Sequence, residues 1–182
     1  MSVNPTDQED AYFRKQDMEL RQKMRDQLTA ATGNLDGRGD LSIAERIQAL
    51  GFSGARARVF DLLPLVHVAW ADGAVSRQER AAILDVLKAR GIAPGTEPFV
   101  LIESLLETRP TPNFMKESLA VLRLAVGDAR AENIVELCLR VASASGGFMN
   151  IGRVSEEERD LIELIAKQLG PAAQDAFRRE LG

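Results

Sequence analysis

Histidine, cysteine, tryptophan and tyrosine each occur once in the 182 residues, and aromatic residues make up only 5% of the chain. A single histidine excludes zinc sites built from several imidazoles. A single cysteine leaves no partner for an intrachain disulfide, and Cys138 falls in the apolar stripe Ile134, Leu137, Cys138, Val141, where an inert core thiol is expected. No Cys–His or Ser–His–Asp constellation occurs at a recognisable spacing, so the reading is of a protein that is not an enzyme. Long hydrophobic runs are also missing. The most apolar stretch, residues 60–70, is broken by Asp61, Pro64 and His67 and is too short to cross a bilayer, so no direct membrane insertion is expected. The first residues, with Asn4, Pro5, Asp7 and Glu9, lack the basic and apolar regions of a signal peptide, and a cytoplasmic location is expected. There is no basic excess either. Lysine and arginine number 23 against 27 acidic residues, a net charge of −4, which disfavours nucleic acid as a partner.

What the chain does have is a phrase written twice. Val75-Ser76-x-x-Glu79-Arg80-x-x-Ile83 returns as Val154-Ser155-x-x-Glu158-Arg159-x-x-Ile162, and each copy runs through a lysine (Lys88, Lys167) to a glycine (Gly91, Gly170). Upstream, Val68-Ala69-x-Ala71-x-Gly73 matches Val141-Ala142-x-Ala144-x-Gly146, with an apolar insertion over residues 147–152 in the second copy. Duplication of this kind places corresponding residues at related positions in space.

Each copy reads as helix, short turn, helix. Ser76 with Glu79, and Ser155 with Glu158, have capping-box spacing: the serine oxygen accepts from a backbone N–H of the first turn, and the glutamate reaches back to the serine's own N–H. Apolar residues then recur with the helical period, at Ala82, Ile83, Val86 and Leu87 and at Leu161, Ile162, Ile165 and Leu169. Gly91 and Gly170 stand where a left-handed cap is wanted, and Pro171 blocks continuation of the second helix.

Other segments punctuate similarly. Residues 7–30 favour helix but carry only a thin apolar seam of Tyr12, Phe13, Leu20, Met24 and Leu28, and residues 33–40 are a glycine-rich linker. Residues 1–39 are therefore expected to form a helical arm and linker, and residues 40–182 a packed domain. Ser42 with Glu45, then Ser53, Thr96, Thr111 and Asp128, mark further helix starts, with Pro112 at a favoured first position. Pro64 predicts a kink or an interrupted helix between Ser53 and Trp70. No segment alternates for long enough to argue a strand. The fold class expected is all-α, a compact bundle of about seven to eight helices built around the helix-turn-helix repeat.

The motif Trp70-Ala71-Asp72-Gly73-Ala74-Val75-Ser76-x-x-Glu79-Arg80, with its degenerate second copy, resembles the signature of the TerB-like tellurite-resistance family over residues 41–169. The resemblance implies a helical, internally duplicated, non-enzymatic bacterial domain linked to stress from metal oxyanions. It also implies a divalent cation such as calcium or magnesium held by acidic residues of the two copies, which here are Asp72, Glu79 and Glu158. Ser145 stands where Asp72 would have its counterpart, so a site of three carboxylates would need backbone oxygens or water to complete it. Asp72-Gly73 also reads as an ordinary turn, and both glutamates already have work in their capping boxes. A second, shorter stretch, Glu9-Asp10-Ala11-Tyr12-Phe13-Arg14-Lys15-Gln16, is similar to the inhibitory segment of the ATP synthase inhibitor family. The alternative to an adaptor of stress physiology is an interaction module that meets a protein partner, or a second copy in a homodimer, through the arm and the apolar loop at 146–152.

Overall fold

Capping, period and stop signals translate directly into helices in the computed structural model, which describes residues 43–145 and 154–181. The chain divides into two units, Met1–Gly51 and Phe52–Gly182. In the first unit the described part is the short helix α1, Ile43–Ala49. The expected arm, the linker boundary at residue 39, the cap at Ser42 and the 146–152 loop lie outside the described residues.

The second unit opens with a 3-10 helix, Gly54–Leu62, which passes without a break into α2, Leu63–Ala69. The change of helix type is the interruption that Pro64 predicts. A proline lacks the N–H that an α-helix interior needs, and here it occupies the first turn of α2, where that N–H has no intrahelical acceptor. There follow α3 (Arg77–Ala89), α4 (Glu97–Glu107), α5 (Pro112–Ala125), α6 (Asp128–Ala144), α7 (Glu156–Leu169) and α8 (Pro171–Leu181). Among the described residues there is no strand, and the all-α bundle with an internal repeat is the architecture observed.

The centre of the unit is α2, whose Leu63, Leu65, Val66, Val68 and Ala69 are almost inaccessible. It packs against the 3-10 helix and against α3, α4, α5, α6 and α7. The two repeat copies are α2 with α3, and α6 with α7. Each helix touches its own copy's partner, α2 packs on α6, and the cross pairs α3 with α6 and α2 with α7 also pack. This set of pairs is unchanged when the copies are exchanged, as duplication requires. Equivalent residues also face inward: Ile83, Val86 and Leu87 in α3 match Ile162, Ile165 and Ala166 in α7. The last helix, α8, closes the second copy by packing along α6 and α7.

The ends of the helices distinguish signals that held from those that did not. Both capping boxes form completely. Thr111 caps α5 by accepting from the Phe114 N–H at 3.2 Å. Thr96 has the N-cap backbone conformation, yet its hydroxyl donates to the Ala93 carbonyl at 2.7 Å and caps nothing. Ser53 likewise makes no cap bond, and Gly127 holds the cap position before Asp128. Gly91, with φ of 73°, ends α3 in a Schellman arrangement: Gly91 N donates to Lys88 O at 2.9 Å and Ile92 N to Leu87 O at 3.0 Å. Gly170 differs, since its φ of 116° and ψ of −175° lie in a region open essentially to glycine alone, and the chain turns there straight into Pro171.

Candidate functional site

The site is built where the two capping boxes meet. Ser76 Oγ accepts from Glu79 N at 3.1 Å while Glu79 Oε2 accepts from Ser76 N at 2.7 Å. In the second copy Ser155 Oγ accepts from Glu158 N at 3.2 Å and Glu158 Oε2 accepts from Ser155 N at 2.8 Å. Such a box normally sits on a helix surface. Here Glu79 is 2% exposed and Glu158 3%, because α3 and α7 both direct their first turns into the bundle.

The two carboxyl groups lie close enough for each to influence the other. Burial raises the Glu79 pKa above the usual carboxylate range, the bonds from Ser76 oppose that rise, and the neighbouring Glu158 adds to it. Ser145, which ends the helix preceding α7, donates to Ala142 O at 2.8 Å and reaches Glu158 Oε1 at 3.4 Å.

Asp72 does not join them. It is exposed in the turn between α2 and α3, where its Oδ1 accepts from Ala74 N at 3.2 Å and Gly73, with φ of 95°, closes the turn by donating to Trp70 O at 3.0 Å. Among the described residues no three His, Cys, Asp or Glu side chains are grouped so as to hold a metal ion. The donor chemistry agrees. Calcium and magnesium take six or more oxygens, whereas this pair offers two carboxylates, each with one oxygen already committed to a backbone N–H. The residues present do not fit a hard divalent cation.

A family model described as Tellurite resistance protein TerB matches residues 62–179. The chain belongs to the TerB family. The matched span runs from the start of α2 into α8 and so contains both boxes and the glutamate pair. No curated protein and no solved structure matches the chain significantly.

The remaining singular residues of this TerB protein serve the fold. Cys138 is fully buried in α6, and burial pushes its thiol far above the usual range, which leaves almost no thiolate to react. His67 in α2 has its pKa lowered to about 4 by burial, against a smaller opposing effect of a backbone hydrogen bond with Met115, and its Nε2 is buried with no hydrogen-bond partner. Trp70 anchors the end of α2 to α4 by donating from Nε1 to Leu105 O at 2.9 Å. No helix among the described residues is long and apolar enough to cross a membrane.

One cluster escaped sequence reasoning. Asp61, 7% exposed at the end of the 3-10 helix, takes Arg90 Nη1 on both oxygens at 2.8 and 2.9 Å and Arg130 Nε on Oδ2 at 2.9 Å. The available signal was an acid inside the most apolar stretch of the chain, since a buried carboxylate demands a cationic or hydrogen-bonding partner. Nothing in the spacing points to Arg90 or Arg130.

Proposed function

We propose that this TerB-family protein acts as a non-enzymatic adaptor in the stress physiology for which the family is named, and that the repeat-related glutamates are its internal joint. The observation that carries this reading is the inward convergence of Glu79 and Glu158. The two glutamates that the family signature supplies are buried and spent on their caps, so they are not displayed to a substrate. The buried Cys138 thiol supports the same reading, because the one soft nucleophile of the chain is sheltered from reagents. What the unit offers outward is a charged surface with Val100, Leu124 and Leu164 exposed among the larger apolar residues. Such residues suit contact with a protein partner. A divalent cation has no part in this proposal, given the poor fit of the donor set.

The test is complementation in the native host lacking the gene, challenged with tellurite, together with a pull-down using the full chain and a version without residues 1–39. The adaptor reading expects the full chain to restore growth and to retain a partner. Restoration by the full chain when no protein is co-purified under any condition, coupled with turnover of a substrate in the purified protein, would refute it. Loss of the partner on removal of residues 1–39 would assign the contact to that segment, and retention would assign it to the helical domain.

A further inference from the structure

We infer that the surface joining the C-terminal end of α3 to the first turn of α6 binds a phosphate-class oxyanion, inorganic phosphate or a small phosphomonoester, through Arg130 and Arg90 held in place by Asp61. Asp61 fixes two guanidinium groups without using them up. Arg130 reaches Asp61 only through Nε, its side chain is 61% exposed, and both of its Nη nitrogens make no hydrogen bond among the described residues. Arg90 uses only Nη1 and keeps its side chain 25% exposed. Arg58 brings a third guanidinium to the same end of α3, where its Nη2 donates to Arg90 O at 3.4 Å.

Charge and donor count both select the ligand. Three guanidiniums stand against Asp61 and against Asp128 in the first turn of α6, so the group keeps a positive surplus. The free nitrogens, two on Arg130 and Nη2 on Arg90, outnumber what one planar carboxylate takes up in a single fork, whereas a tetrahedral phosphate presents three oxygens to two forks. The first turn of α6 contributes in the same sense. Its N-cap is Gly127, which has no side chain to occupy the exposed amides, and the positive end of the helix therefore lies beside Arg130. Because the Asp61 contacts already order both arginines, less side-chain freedom is lost on binding.

The experiment follows the arginine Nε–Hε resonances of the full chain while sodium phosphate is added, against sodium chloride at matched ionic strength. Saturable shifts at Arg130 and Arg90 with phosphate, absent with chloride, are expected. Arg130→Gln should weaken phosphate binding by about tenfold or more, the scale of losing charge-assisted hydrogen bonds, and it should leave the fold intact because Arg90 still holds Asp61. Arg178→Gln, on an exposed arginine paired within α8 to Asp175, should change nothing. A parallel titration with O-phosphoserine separates the two sources: equal or tighter binding indicates a phosphomonoester, and weaker binding indicates free phosphate. Shifts that fail to saturate, that chloride reproduces, that survive Arg130→Gln, or that Arg178→Gln diminishes equally would overturn the inference.

Discussion

Replacing Glu79 separates the two jobs that the structure gives it. Glu79→Ala removes the acceptor for the Ser76 N–H and empties space in a site 2% exposed. Loss of a cap costs about 0.5–2 kcal/mol, and a buried donor left without a partner costs about 1–3 kcal/mol. Since these overlap, a total of about 2–4 kcal/mol is expected at pH 4, and less at pH 8. Glu79→Gln is different, because glutamine also serves at this position of a capping box and can donate its amide to Glu158. It removes only the titration. The folded-state pKa of Glu79 is raised above the unfolded value of 4.5. The unfolded chain therefore loses this proton first as pH increases, and native stability, fully present below the unfolded pKa, is lost as pH rises through the folded one. Each pH unit between the two values removes about 1.4 kcal/mol. Urea unfolding at pH 4 and pH 8 measures the effect: Glu79→Gln should be close to wild type or below it at pH 4 and more stable than wild type at pH 8. A Glu79→Gln variant destabilised equally at both values would show that the Glu79 carboxyl is not raised above its unfolded pKa, and this account would fail.

Three other outcomes follow from the same structure. His67 has a folded pKa of about 4 against 6.5 unfolded, so stability should fall by about 1.4 kcal/mol per pH unit as pH drops from 6.5 towards 4. Urea titrations should show His67→Gln flattening that slope, and an unchanged slope would refute the assignment. Gly91→Ala, at φ of 73° with open space around the added Cβ, should cost about 1–2 kcal/mol from backbone strain alone. Gly170→Ala, in the glycine-only region at φ of 116°, should cost about 1–3 kcal/mol, and thermal melts should place it at or below Gly91→Ala. Cys138 should resist a thiol reagent in the native protein and react only at the rate of unfolding, whereas prompt modification would mean that α6 opens locally.

How much of this was legible in the sequence depended on the range of each interaction. A capping box lies within one helical turn, so Ser76 with Glu79 and Ser155 with Glu158 specified both helix starts without help from the rest of the chain. Pro64 marked the change of helix type before α2 for the same reason, through a missing N–H that no tertiary contact replaces. Thr96 failed at equally short range: the chain preceding it brings the Ala93 carbonyl within 2.7 Å, and a hydroxyl that has rotated to donate there is not aimed at the first turn of α4. Gly170 was placed correctly as a stop, yet its conformation is set by the turn into Pro171 rather than by a left-handed cap.

The convergence of Glu79 and Glu158 belongs to a longer range. The repeat established that the two glutamates are equivalent, and equivalence alone is satisfied equally by two surface caps on opposite sides of the bundle. What brings them together is the packing of α3 on α6 and of α2 on α7, which turns both helix starts towards the same interior. Ser145 then becomes intelligible. An aspartate there would add a further carboxylate beside two buried carboxyl groups, whereas the neutral Ser145 hydroxyl, 3.4 Å from Glu158 Oε1, spends its proton on Ala142 O at 2.8 Å and adds no charge. The residue that leaves a cation site one carboxylate short is thus the one that spares a buried carboxyl pair further repulsion, and the duplicated signature of this TerB protein brings its two helix starts to the same interior.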